Sequence, residues 1–175
     1  DPPRVRLGLF GVQSKRNADH GMGFDLRYTA DQNVDMRIRL EHCLLSENRK
    51  SGIYLDADAI GDYSVSHCVF ERNTGDSALK ISGDATGALI HVRECRVSPQ
   101  QGYSLYYRGA GLVNILGGNL ASTGPDGNSI LNESRGTVSV TQLLAADSGS
   151  ATNPSLMHWE KRSEEHTSEL QSRQY

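Results

Sequence analysis

Apolar and polar residues alternate along this chain in short bursts, and the bursts recur about every 25 residues. Ile53-Tyr54-Leu55 aligns with Leu79-Lys80-Ile81, Leu105-Tyr106-Tyr107, Ile130-Leu131-Asn132 and Leu156-Met157-His158. A second series places Leu40 to Leu44 over Val65 to Val69, Val92 to Arg96, Leu116 to Leu120 and Val140 to Leu144, with Leu7 to Gly11 as its first member. Alternation at period two is strand logic. Recurrence at a few tens of residues is the mark of a solenoid, in which each turn stacks on the last. The pattern predicts three short strands per coil and about six coils, starting near Val5, Ile38, Tyr63, Ile90, Asn114 and Val138. In the second coil Ile38 and Leu40 point inward while Arg37, Arg39 and Glu41 point outward. Turn-rich runs follow, such as Asp56 to Asp62 and Gly83 to Gly87. Asn48 and Asn73 fall after the second strand of successive coils, where stacked asparagines hydrogen-bond from rung to rung and tolerate left-handed backbone.

Two other repeats fit poorly. A leucine-rich repeat needs its Leu-x-x-Leu-x-Leu frame, and a propeller blade needs about 40 residues or more. The expected fold is all-β, a single-stranded right-handed parallel β-helix. The segments LEHCLLSENRKSGIYLD, VSHCVFERNTGDSALKISG and ILNESRGTVSV resemble coils of the pectate-lyase superfamily, over residues 5 to 158. That superfamily includes polysaccharide lyases, glycoside hydrolases, phage tailspikes and noncatalytic surface proteins, so the resemblance implies an extracellular or cell-surface role for the full-length protein. Residues 1–161 are expected to form the β-helix fragment of a longer gene. Arg162 to Ser172 reads RSEEHTSELQS and resembles the translation of a sequencing-library adapter, so residues 162–175 are set aside as a non-native tail, expected to be disordered.

Composition narrows the function classes. A formal net charge of −3 argues against a dedicated nucleic-acid binder, which carries a strong basic excess. No apolar run reaches the roughly 18 residues of a membrane helix. The three cysteines, Cys43, Cys68 and Cys95, fall in one inward column, which Phe10, Asn119 and Leu143 continue in the other coils. They read as buried thiols acting as small apolar side chains. His42 and His67 precede two of them and read as an outward, stacked pair; a zinc ion could not easily take both members of a His-Cys neighbour pair, because successive strand residues face opposite ways.

Candidate chemistry lies on the outward positions of the first strand in each coil. Arg6, Arg39, Ser64 and His91 are expected in one column, Arg4, Arg37 and Asp62 in the next, and Gly8, Glu41, Ser66 and Arg93 in the third. Guanidinium forks suit carboxylates and sulfates, so an anionic polysaccharide is the expected partner, with Arg6, Arg37, Glu41 and Ser64 as binding residues. The superfamily resemblance implies a substrate cleft on this face and an arginine that removes the proton beside a uronate carboxylate. Arg39 or Arg93 would fill that role, with His91 as acid–base partner. The resemblance also implies that calcium could bridge the ligand, and Asp56, Asp58 and Asp62 form the candidate Ca²⁺ cluster; no other cofactor is indicated. The polygalacturonase branch's motifs are broken here: Asn73-Thr74-Gly75-Asp76 carries an extra residue, and no Asp-Asp pair occurs. The competing expectation is a noncatalytic module, such as an adhesin stalk or the shaft of a homotrimeric tailspike.

Overall fold

The computed structural model describes residues 4–25, 35–98, 100–122, 124–125, 127–141 and 157–159. These form a parallel β-helix with three walls. Wall A holds six strands: β1 (Arg4–Phe10), β4 (Asp35–Glu41), β7 (Gly61–Ser66), β10 (Ala88–Arg93), β13 (Leu112–Leu116) and β16 (Thr137–Thr141). Wall B holds five: β2 (Gln13–Lys15), β5 (Leu44–Ser46), β8 (Val69–Glu71), β11 (Arg96–Val97) and β14 (Asn119–Leu120). Wall C holds six: β3 (Met22–Asp25), β6 (Ile53–Asp56), β9 (Ser77–Gly83), β12 (Tyr103–Gly109), β15 (Ile130–Asn132) and β17 (Met157–Trp159). Every strand pairs in parallel with its copy in the next coil. The reading of residues 162–175 as a tail lies outside the described residues.

The core follows from the alternation. Ile38, Tyr63, Ile90, Val113 and Val138 stack in one inward column, and Leu40, Val65, Val92 and Ile115 in the next. Wall C contributes Ile53, Leu79, Leu105 and Ile130, and wall B contributes Leu45, Phe70, Val97 and Leu120. These residues are buried, and each such side chain contributes about 1.5–3 kcal/mol. Two core tyrosines satisfy their hydroxyls at the turns between walls C and A. Tyr63 donates to the Ala59 carbonyl at 2.7 Å, and Tyr107 to that of Gly111 at 2.8 Å. Burial, followed by the charge of Asp58, pushes the Tyr63 hydroxyl up to about 12.

The register corrects three alignments read from sequence. In the first coil Leu9, not Leu7, lies beside Leu40. In the fifth, Ile115 follows Val92, so Leu116 pairs with Arg93 and points outward, 40% exposed. On wall C, Met157 rather than Leu156 pairs with Ile130. A slip of two residues preserves the face of every side chain, whereas a slip of one reverses it. The cysteine column shifts accordingly: Phe10 sits beside Glu41 and Asn119 beside Arg96, so neither continues it. Leu143 lies outside the described residues.

Two bends recur along the helix. The bend from wall A to wall B turns on a residue with positive φ: Gly11 (65°), His42 (54°), His67 (52°), Glu94 (48°) and Gly117 (66°). Glycine takes this conformation without steric cost; the other three carry it as strain of about 1 kcal/mol or more each. The bend from wall B to wall C turns on Arg16, Glu47 and Arg72, again with positive φ. The left-handed residue is thus the one before each asparagine, not the asparagine itself. Its side chain points outward, and the column alternates in charge: Glu47 pairs with Arg16 at 2.6 Å and with Arg72 at 2.6 Å. The hydrogen bond from Arg16 is the main reason the Glu47 carboxyl is held below its ordinary value.

Behind this bend runs an amide ladder. Asn17 donates to the Asn48 side-chain oxygen at 2.8 Å, Asn48 to Asn73 at 2.8 Å, and Asn73 to Gln100 at 3.2 Å. Asn48 and Asn73 are fully buried, and their backbone amides use the same ladder oxygens. Sequence reading found the middle two rungs and missed Asn17 and Gln100.

Replacing Asn48 with Ala removes the acceptor used by both the Asn17 backbone amide and its side chain, and one of the two donors to Asn73 Oδ1, and is expected to cost about 1–3 kcal/mol in urea unfolding. Glu47→Gln tests the charge column through pH. Because the folded carboxyl titrates below its unfolded value, the stabilisation is full above the ordinary value of 4.5 and lost as pH falls through the folded value. The difference between wild-type and variant unfolding midpoints should therefore be present at neutral pH and close under acid.

Candidate functional site

Wall A presents the face singled out from sequence. In-register pairing of β4, β7 and β10 lines up Arg39, Ser64 and His91 in one outward column, and Glu41, Ser66 and Arg93 in the next. Arg37 precedes Asp62 in a third. Arg39, Glu41, Asp62, Ser64, His91 and Arg93 line one open groove of about 360 Å³, together with Ser66, His42 and His67. The first coil's register correction moves Arg6 beside Arg37 instead of Arg39, and Gly8 beside Arg39. Arg6 and Arg37 are not among the residues that line the groove.

The electrostatics of the groove are set by which groups find partners within the protein. His91 Nε2 lies 3.9 Å from Asp62 Oδ1, an ion pair when the imidazole is protonated. Arg39 and Arg93 are exposed, and their guanidiniums have no hydrogen-bond or ion-pair partner among the described residues. They stand two rungs apart on strands β4 and β10 and in adjacent outward columns, which puts their Cα atoms roughly 12 Å apart at the rise and spacing of paired strands. The site therefore offers two free guanidiniums, an imidazole and two serine hydroxyls on a wall whose backbone is fixed by pairing on both sides.

His42 and His67 close one end of the groove. They stack with ring centroids 4.9 Å apart, and Phe10 packs edge-on against His42 at 5.1 Å. Sequence had identified the stacked pair but not its place in the groove, because the left-handed bend that turns both rings toward it cannot be read from strand alternation. Behind the histidines Cys43, Cys68 and Cys95 are buried free thiols, as expected. Each lies within 3.3–3.4 Å of the carbonyl two residues earlier, in donating geometry. Burial pushes the Cys43 thiol up, and the hydrogen bond shared with Cys95, then burial, does the same to Cys68.

The calcium candidate does not survive the fold. Asp62 stands on wall A, whereas Asp56 ends a wall C strand and lines a separate hollow with Asp58. The turn between them carries its acids to different walls. Asp58 Oδ1 instead accepts the Asp84 backbone amide at 2.8 Å. Among the described residues no three His, Cys, Asp or Glu side chains gather as a metal site.

No family model matches the chain, and neither the curated proteins nor the solved structures give a match.

The buried thiols give a direct check on this geometry. The native protein should leave Cys43, Cys68 and Cys95 unreactive toward a thiol-specific chromogenic reagent over minutes, and all three should react at once in denaturant. Rapid labelling without denaturant would mean the column is open.

Proposed function

We propose that wall A binds an acidic polysaccharide laid across the coils, with Arg39 and Arg93 each holding a carboxylate or sulfate. The observation that carries this reading is the pair of unpartnered guanidiniums flanking Ser64, Ser66 and His91 in one groove. Arginine forks bind such groups bidentately, and leaving two of them without internal partners favours an anionic ligand. The coils' resemblance to the pectate-lyase superfamily supports the same substrate class and an extracellular or surface role.

Cleavage would follow the lyase route. One of Arg39 and Arg93, having first given a proton to solvent, takes the proton from the carbon beside the uronate carboxylate while the other stays cationic and holds that carboxylate; the bond to the bridging oxygen breaks, and that oxygen takes a proton, with His91 as donor. The product is an unsaturated sugar. Glu41 and Ser64 would orient the chain through its hydroxyls, while Arg37 and Arg6 would extend the positive field beyond the groove.

Affinity for polygalacturonate, alginate and heparan sulfate, measured at low salt, tests the binding. Arg39→Ala and Arg93→Ala should each weaken it about 10–100-fold, the scale of one charge-assisted hydrogen-bonded contact, and rising salt should weaken the wild type. Release of ultraviolet-absorbing unsaturated ends would add cleavage. Failure to retain any of the three glycans would remove the proposal.

A noncatalytic shaft remains the second reading because one observation favours it. Leu89 and Leu116 stand outward on wall A, 43% and 40% exposed, and Leu89 pairs with Leu112. Such residues on a strand face suit a seam between copies. A tight trimer without glycan affinity would select this reading.

A further inference from the structure

Wall C carries a second strip of chemistry that the acidic-polysaccharide reading does not use. Register stacks Tyr54, Lys80 and Tyr106 in one outward column, and Asp56, Ser82 and Arg108 in the next. Tyr54 and Tyr106 are half-buried and stand two rungs apart, roughly 9.6 Å at the paired-strand spacing. His20 stacks on Tyr54 at 5.0 Å, and the Lys80 ammonium lies 4.9 Å from the centre of the Tyr106 ring while pairing with Asp76 at 2.6 Å. Tyr106 donates to Glu133 at 2.6 Å, and Ser82 donates to Asp56 at 3.2 Å. The tyrosines are therefore fixed by their neighbours.

Two hollows flank this strip. One, of about 360 Å³, is lined by His20, Lys50, Tyr54, Asp76 and Lys80. The other, of about 390 Å³, is lined by Asp56, Asp58, Asp84, Glu133, Arg108 and Arg135. In the second hollow acids and bases lie side by side without neutralising one another. The Arg108 and Arg135 guanidiniums and the Asp84 carboxylate have no hydrogen-bond or ion-pair partner among the described residues.

We propose that wall C binds a neutral oligosaccharide, running along the helix axis over Tyr54, Lys80 and Tyr106 with its hydroxyls in the hollow of Arg108 and Arg135. Charge chooses the class. Four carboxylates face two guanidiniums in that hollow, so a polyanion meets net repulsion. The Asp56 carboxyl is already pushed up, by burial first and then by Asp58. A sugar hydroxyl, in contrast, both donates and accepts. Neighbouring hydroxyls match a carboxylate that accepts twice and a guanidinium that donates twice. Tyrosine adds apolar ring surface with a polar tip, suited to the mixed faces of a pyranose. A peptide adding as a strand is disfavoured, because the wall C strands facing the strip are already paired on both sides. Walls A and C would then take different sugars: acidic on A, uncharged on C.

Calorimetric titration of the full chain with hexamers of β-1,4-linked glucose, mannose and xylose tests the proposal, with polygalacturonate run in parallel. At least one neutral hexamer should bind. Arg108→Ala and Arg135→Ala should each weaken it about tenfold, or about 1.4 kcal/mol, and Tyr106→Ala should weaken it further. Arg39→Ala should leave it unchanged. Both arginines lack structural partners, so their variants keep the fold even if Tyr106→Ala does not. Absence of binding by every neutral hexamer at millimolar concentration would overturn the proposal. So would a neutral ligand lost with Arg39 but not with Arg108, or an acidic ligand lost with Arg108. None of these results depends on whether wall A retains polygalacturonate.

Discussion

Parallel pairing at a spacing of about 4.8 Å governs this molecule. Each side chain must live beside the side chain in the same position of the next coil. Different columns meet that demand with different chemistry. Ile38, Tyr63, Ile90 and Val113 meet it by apolar contact, Asn17, Asn48 and Asn73 by passing one amide hydrogen bond along the axis, and Cys43, Cys68 and Cys95 by being small and soft. Charged columns cannot repeat themselves without repulsion, so Arg16, Glu47 and Arg72 alternate in sign. The imidazoles of His42 and His67 stack instead.

This same rule explains what could be read in the sequence. Where a column repeats one residue type, as with the cysteines or with Asn48 and Asn73, alignment by eye finds it. Where the column changes type, the register becomes ambiguous. Leu7 and Leu9 are equally good partners for Leu40, and Ile115 and Leu116 for Val92, and nothing local in the chain chooses between them. The first ambiguity left every residue on its proper face and merely moved Arg6 away from Arg39. The second turned an apparent core residue, Leu116, into a surface one.

The groove on wall A was legible because it depends only on alternation within well-aligned strands. Arg39, Ser64, His91, Glu41 and Arg93 were placed on one face by counting in twos. The contribution of His42 and His67 was not legible, because it needs a left-handed residue at a position usually filled by glycine, as at Gly11 and Gly117. The hollow of Arg108 and Arg135 was hidden for a related reason: its residues come from four coils and from the turns between them, where the period is loosest. Asp56 and Asp62 show the converse error, since nearness in sequence suggested a cluster that a turn between two walls divides.

Gln100 has one methylene more than the asparagines it follows. Its side-chain oxygen continues the ladder, but its buried Nε2 has no partner among the described residues. The relay of amides therefore stops there. In a solenoid, where coils contact only their neighbours, cooperativity is carried from one interface to the next. A weak interface at Gln100 would let the later coils open while the Asn17–Asn73 segment stays closed, giving the protein a soft half and a hard half along a single axis.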